Sequence, residues 1–336
     1  MLLPRLIDLH VHLREPGQTH KGDAASETAA AWYGGFGLVT AMANTVPAID
    51  TPAQWEKMQQ RLRECARVPV VQCAAMTVGR LGREPVDAAA LKAAGVIALS
   101  DDGTTPQDPG VMREVAWRAA EANLLLIDHC EDAGCTRRSE IALAERDMEL
   151  SRLTGARFHL QHLSTLESVE LLEAAQTDGL AVSGEVTPHH LAFTHEAVNR
   201  WGANARMAPP LRGEEDRQAL LRAVAGGVIA AVATDHAPHT AAEKALPLEK
   251  APNGIIGLEA AFPVAYTLLV HSGLMSLPAL LQRFIDGPAR ILGVKAPEGS
   301  FEVELEHDTV LDCGRWHSRS TNSPWHGYPV AAEIRL

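Results

Sequence analysis

Short apolar runs recur along this chain, and each gives way to a longer stretch whose apolar residues repeat at helical spacing. The runs occupy residues 5–12, 37–43, 68–75, 96–100, 124–129, 157–162, 180–186 and 228–235. Helical spacing marks 51–66, 87–94, 110–122, 139–153, 165–177 and 214–225. Gly95, Gly155, Gly179 and the Gly226-Gly227 pair break the joins. Strands and helices alternating in this way predict a parallel (β/α)8 barrel, with an open doubly wound sheet as the competing arrangement. After Leu292 the character changes. Residues 301–311 alternate like a surface strand and lead into a tail rich in Trp, Ser and Pro. We expect an α/β, TIM-like barrel over residues 1–294 and a small C-terminal β appendage over 295–336.

The polar residues favour the barrel. The first run ends in Asp8-Leu9-His10-Val11-His12, and the fourth in Ser100-Asp101-Asp102-Gly103. Asp128-His129-Cys130-Glu131 closes the fifth, Gln161-His162-Leu163-Ser164 the sixth, and Thr234-Asp235-His236-Ala237-Pro238-His239 the eighth. A parallel barrel opens all its strand C-termini on one rim, where active sites lie. Side chains alternate along a strand, so His10 and His12 share a face and can grip one ion. An HxH pair alone reads equally well as two structural histidines. Joined by Asp102, His129, His162 and Asp235, it reads as a two-metal site. His159 stands three residues before His162 and is expected to face a helix. His189 and His190, near the rim, are expected to orient other groups. His20, His195, His271, His307, His317 and His326 read as surface residues.

Charge and cysteine content narrow the class of function. Lys+Arg total 30 and Asp+Glu 42, a net charge of −12. That balance argues against nucleic acid as a main partner, because such binding rests on cations that displace counterions. No apolar run approaches the about 20 residues of a membrane span. Met1-Leu2-Leu3-Pro4-Arg5 has no basic n-region or long apolar core, so no secretory signal is expected. Cys65, Cys73, Cys130, Cys135 and Cys313 are odd in number and form no CxxC pair, which fits free thiols in a reducing cytoplasm.

Read in order, the polar blocks resemble one known family. They run Asp8-Leu-His-Val-His-Leu-Arg-Glu-Pro-Gly17, Met42-Ala-Asn-Thr-Val-Pro47, Ser100-Asp-Asp-Gly103, Asp128-His-Cys-Glu-Asp132 and Gln161-His-Leu-Ser-Thr165. Glu185-Val-Thr-Pro-His-His190, Pro209-Pro-Leu-Arg212, Ala233-Thr-Asp-His-Ala-Pro-His239 and Gly254-Ile-Ile-Gly-Leu-Glu259 follow. The series is similar to the class I bacterial dihydroorotases of the amidohydrolase superfamily, from Ile7 to Leu292. The resemblance implies a zinc-dependent cyclic amidohydrolase that interconverts L-dihydroorotate and N-carbamoyl-L-aspartate in pyrimidine (UMP) biosynthesis. It implies one or two zinc ions per subunit. His10, His12 and Asp102 would hold one, with Asp102 able to bridge to a second held by His129 and His162. Asp235 would be the catalytic acid/base beside the metal. Arg14, Asn44 and His239 would grip the substrate carboxylate and ring, with His12, Ala208, Asn253 and Gly254 completing the substrate pocket. It further implies a homodimer and, in some relatives, a complex with aspartate transcarbamoylase.

Departures from the family pattern surround the metal set without entering it. Family members carry a longer segment before the HxH strand, which builds a small β-sandwich with the tail. The resemblance therefore reads this chain as trimmed there, and 295–336 as lacking its partner strands. The stretch after Glu131 is also short. Gly22 stands where a Glu is usual, Ala43 where a Pro is, Ala208 where an Asn is, and Asn253 where an aromatic is. Two other readings compete. A hydantoinase- or allantoinase-like amidase is disfavoured by Arg14 and Asn44, which suit an acid substrate. A non-catalytic homologue that binds aspartate transcarbamoylase would lose metal ligands, whereas this chain keeps them.

Overall fold

The structure, a computed structural model, describes residues 1–132, 134 and 136–335. After a short β1 (Leu2–Pro4), parallel strands follow as β2 (Leu6–Val11), β3 (Phe36–Ala41), β4 (Val70–Gln72), β5 (Ala98–Leu99), β6 (Leu125–Asp128), β7 (Arg157–Leu160), β8 (Val182–Val186) and β9 (Ala231–Val232). Pairing runs β2-β3-β4 and β5-β6-β7-β8-β9. Parallel bridges Ala74–Leu99 and Val11–His236 join the two arcs and close the ring. The expected α/β barrel is thus the observed one, and the open sheet is excluded.

Helices α1 (Ala24–Tyr33), α2 (Pro52–Cys65), α3 (Ala88–Ala94), α4 (Pro109–Glu121), α5 (Arg137–Thr154) and α6 (Leu166–Thr177) cover successive strands. Their starts are set locally: Asp23, Thr51, Asp87, Asp108, Thr136 and Thr165 each cap a first turn through a side-chain oxygen. Each such cap contributes about 1 kcal/mol. Gly95 and Gly155 end α3 and α5 in the left-handed conformation.

Strand parity splits the core. Val39, Leu126, Phe158, Leu160, Val186 and Val232 face out beneath the helices. Ile7, Leu9, Met42, Cys73, Leu125, Ile127, Ala231 and Ala233 fill the barrel interior. The interior plug is therefore apolar on the β2–β6 side and lined with small alanines at β9. The space on the β7–β8 side is left to polar residues described below.

The tail forms β10 (Ser300–Val310) and β11 (Pro329–Arg335), paired antiparallel. Contrary to expectation, it does not lack a partner at its other edge. Leu2, Leu3 and Pro4 pair with Glu302, Phe301 and Ser300. Phe301 and Val303 turn inward between exposed Ser300, Glu302 and Glu304, and join the main core. No helix among the described residues is long and apolar enough to cross a membrane. Cys65, Cys73, Cys130 and Cys313 are free thiols; Cys135 lies outside the described residues.

Candidate active site

Three residues at the barrel's C-terminal rim, Arg14, His162 and Asp235, hold positive φ values of 60°, 32° and 48°. A non-glycine residue there costs about 1–2 kcal/mol, and such strain gathers at functional sites. Here its effect is visible. β7 ends at Leu160, and the left-handed turn at His162 swings that imidazole back over the barrel axis. Asp235 turns in the same way past the end of β9.

The side chains from the five strand ends meet. His10 Nε2 lies 3.3 Å from Asp102 Oδ1 and 3.3 Å from Asp235 Oδ1. His12 Nε2 lies 2.9 Å from Asp235 Oδ1 and 3.6 Å from Asp102 Oδ2. His129 Nδ1 is 3.6 Å from Asp102 Oδ1 and 2.9 Å from His162 Nε2. Two triads result, His10–His12–Asp102 and Asp102–His129–His162, each with its ligand atoms within 4.8 Å of one another. Asp102 belongs to both. All of these side chains are buried. Two imidazole nitrogens facing each other at 2.9 Å, beside a carboxylate shared by two clusters, are donors that a divalent cation satisfies better than protons do. Burial opposes a proton on His10, yet Asp235 and Asp102 outweigh it and raise its pKa well above the ordinary value. Burial, then His129 and His10, hold His162 well below.

The outer nitrogens of His10, His12 and His129 also have partners. His10 Nδ1 lies 3.0 Å from Glu185 Oε1, and Glu185 Oε2 lies 3.0 Å from His159 Nε2. His159 Nδ1 reaches Ser183 Oγ at 2.8 Å. His12 Nδ1 meets Asn44 Oδ1 at 2.9 Å, and Asn44 Nδ2 donates to Asp102 Oδ2 at 2.8 Å. Glu131 stands behind His129, with Oε2 3.6 Å from Nε2, while its Oε1 accepts from Arg212 at 3.1 Å. An imidazole that donates outward presents its lone pair inward, which is how such partners fix the tautomer of a metal ligand. Burial works against a charge on Glu185, but hydrogen bonds from His10 and His159 outweigh it and pull its pKa down to about 2.

This network corrects one expectation. His159 does not face a helix. It points into the barrel with Ser183 and Glu185, because its neighbours Phe158 and Leu160 face outward and strand parity stops at the His162 turn. Glu185 and Glu131, which the sequence alone does not mark as functional, stand directly behind His10 and His129. Glu185 lies on β8, which carries none of the clustered side chains, so its signal is weak; Glu131 follows His129 by two residues, and that spacing is the signal that could have found it. His190 does orient a neighbour: Nε2 meets the Pro209 carbonyl at 3.0 Å, next to Ala208.

A cavity of about 350 Å3 opens over the cluster. His12, Arg14, Asn44, Asp102, His129, His162, Ala208, Asp235, His239, Asn253 and Gly254 line it, as do Gly103, Asp132 and Ala237, which sequence reading did not single out. Of the expected residues only His10 lies beneath its floor. Arg14 is buried, its Nε donating to the Pro238 carbonyl at 3.0 Å and its Nη2 3.2 Å from His239 Nε2. His239 must therefore accept and stay neutral; burial, then Arg14, Lys21 and Lys244, depress its pKa to about 2. Gly254 sits at φ +116°, and a Cβ there would meet Ala237 Cβ at 2.6 Å, so only glycine fits. The cavity thus has imidazoles and carboxylates on its floor and a cationic wall at one side.

A family model described as dihydro-orotase-like matches residues 1–179. A dihydroorotase of Bacillus caldolyticus is 41% identical over 98% of this chain and 83% of its own length. The chain belongs to the dihydroorotase family. Another dihydroorotase, from Caldanaerobacter subterraneus subsp. tengcongensis, is 38% identical over 99% of the chain and 83% of its own length. Among solved structures, the L-hydantoinase (dihydropyrimidinase) of Arthrobacter aurescens matches with a TM-score of 0.87 at 23% identity, covering 99% of this chain and 83% of that one. The dihydropyrimidinase of Brevibacillus agri NCHU1002 matches with a TM-score of 0.87 at 19% identity, over 99% and 82%. At such identities these two speak to the barrel fold that dihydroorotase-family chains share with them, and to nothing finer.

Proposed function

We propose that this dihydroorotase-family chain hydrolyses L-dihydroorotate to N-carbamoyl-L-aspartate and, in reverse, closes that ring, as a cytoplasmic enzyme of pyrimidine biosynthesis. The observation that carries the reading is the pairing, within one cavity, of the two imidazole–carboxylate triads with the buried Arg14–His239 wall. A cyclic amide bearing a carboxylate matches both sides. A neutral hydantoin would leave the buried Arg14 guanidinium with no anion in direct contact, only the Pro238 carbonyl and His239. Free thiols at Cys65, Cys73, Cys130 and Cys313 support a reducing compartment.

We assign zinc to the site, held by His10, His12 and Asp102 on one side and by Asp102, His129 and His162 on the other. When bound, such ions lower the pKa of water and polarise a carbonyl oxygen. Arg14 takes the substrate carboxylate through its planar guanidinium, already aligned by the Pro238 carbonyl. Asn44 and Gly254 border the ring. Asp235, its Oδ1 against the His12 and His10 nitrogens, is the base. As the water oxygen bonds to the ring carbonyl carbon, Asp235 accepts the water's proton. As the carbon–nitrogen bond breaks, it returns that proton to the departing nitrogen.

The test is dihydroorotate hydrolysis by purified chain before chelation, after chelation and after zinc return, beside hydantoin and allantoin. Activity on dihydroorotate alone, lost with the metal and regained with zinc, is the expected result. Faster turnover of hydantoin or allantoin, or activity indifferent to chelation, overturns the reading.

A further inference from the structure

We propose that Asn322, in the segment joining β10 to β11, is a positioning residue for the wall that recognises the substrate carboxylate; the proposal rests on the substrate reading above. Asn322 does not line the cavity, yet its buried side chain holds three backbone groups of loops that do. Its Oδ1 accepts from His239 N at 2.9 Å, and its Nδ2 donates to the carbonyls of Ala237 at 3.0 Å and Gly254 at 3.1 Å. Its own carbonyl accepts from Ile256 N at 3.0 Å. The first two bonds flank Pro238, whose carbonyl anchors Arg14. One amide therefore sets both the main chain of His239 and the anchor of the guanidinium beside it. A carboxamide suits the place because it offers an acceptor and two donors at once.

The rest of the segment is pinned at the same mouth. Ser318 Oγ donates to Glu27 Oε2 at 2.7 Å, and that oxygen also lies 2.7 Å from His236 Nε2. Ser320 Oγ donates to the Lys21 carbonyl at 2.6 Å. The segment is thus a strap tied to the α1 side and to the loop after β9. Among the described residues its hydrogen bonds, those to Glu27, Lys21, Ala237, His239 and Gly254 included, do not go to the clustered side chains at the strand ends. Loosening it should shift the acid-binding wall and leave the metal cluster and Asp235 in place.

The experiment uses the full zinc-loaded chain with Asn322→Ala and Asn322→Asp. The aspartate keeps the size and the acceptor but sets an oxygen against two carbonyls. KM for dihydroorotate and the inhibition constant of orotate, a planar analogue with the same carboxylate, should rise about tenfold, while kcat and zinc content stay within about twofold. Where the alanine variant does not accumulate, Asn322→Ser, which retains a donor and an acceptor, replaces it and should show the same split at a smaller size. A lowered melting temperature with unchanged KM and orotate binding would mean a structural role only, and would overturn the proposal. So would a loss confined to kcat or to zinc. Wild-type chain that neither turns over dihydroorotate nor binds orotate refutes the substrate reading itself. Wild type that does both, beside variants that match it, refutes the strap alone.

Discussion

Replacing Glu185 separates support of the metal site from the chemistry at its surface. The carboxylate is fully buried and takes one hydrogen bond from His10 and one from His159, at 3.0 Å each. Those bonds outweigh burial and lower its pKa from 4.5 to about 2, which corresponds to about 3 kcal/mol of preference for the charged form in the folded chain. Truncation in Glu185→Ala leaves two imidazole nitrogens buried without acceptors and opens a cavity, so a loss of about 3–5 kcal/mol in stability is expected. It also frees His10 to change tautomer, and removal of such a partner weakens metal binding by about 10- to 100-fold. Glu185→Gln should be much milder, by about 1–2 kcal/mol. Its carbonyl can still accept from His10, while His159 switches tautomer and donates to Ser183 Oγ, a hydroxyl that turns freely. The assays are urea unfolding of metal-free protein and zinc competition against a chelating dye. If Glu185→Ala unfolds within about 1 kcal/mol of wild type and takes up zinc with the same affinity, the support argument is wrong.

Asp235→Asn should retain zinc on the remaining five residues and lower kcat by about 10²- to 10⁴-fold; near-normal turnover in a metal-replete assay would remove Asp235 from the proton path. Arg14→Met should raise KM for dihydroorotate about tenfold or more with kcat little changed, since it deletes a contact made before and during reaction alike, and steady-state kinetics decide it. His239 gives a pH signature. Its folded pKa of about 2 lies below the ordinary imidazole value of 6.5, so the unfolded chain takes up a proton that the folded chain refuses. Stability from this group is full above pH 6.5 and declines as pH falls toward 2. His239→Gln should flatten that part of the acid limb, as read from urea midpoints at about pH 7.5 and 5.5.

The rim was legible because its residues announce themselves where apolar runs stop. Asp8 to His12, Asp102, His129, His162 and Asp235 all stand at strand ends, and strand ends are fixed by hydrophobic pattern. The layer beneath was not. Parity along β7 predicts a direction for His159 only if the strand runs on to His162, and the turn at φ 32° breaks that count. Glu185 shares its face with Ser183 on a strand of mixed polarity, and no local spacing links it to His10, 175 residues away. Leu2–Pro4 is too short to show periodicity, so its pairing with β10 had no signature. Asn322 sits in a Ser- and Pro-rich stretch that reads as an ordinary tail, and its partner His239 lies 83 residues earlier.

The ring closes where its first barrel strand meets its last. Asp8 on β2 accepts from Thr234 N at 3.0 Å and from Thr234 Oγ1 at 2.6 Å. His12 and Asp235, which touch at that join, are 223 residues apart. Synthesis therefore lays down the HxH pair more than two hundred residues ahead of Asp235, the proton carrier proposed above. On that proposal, a molecule cut short before Asp235 would keep part of the ligand set and lack the group that moves the proton.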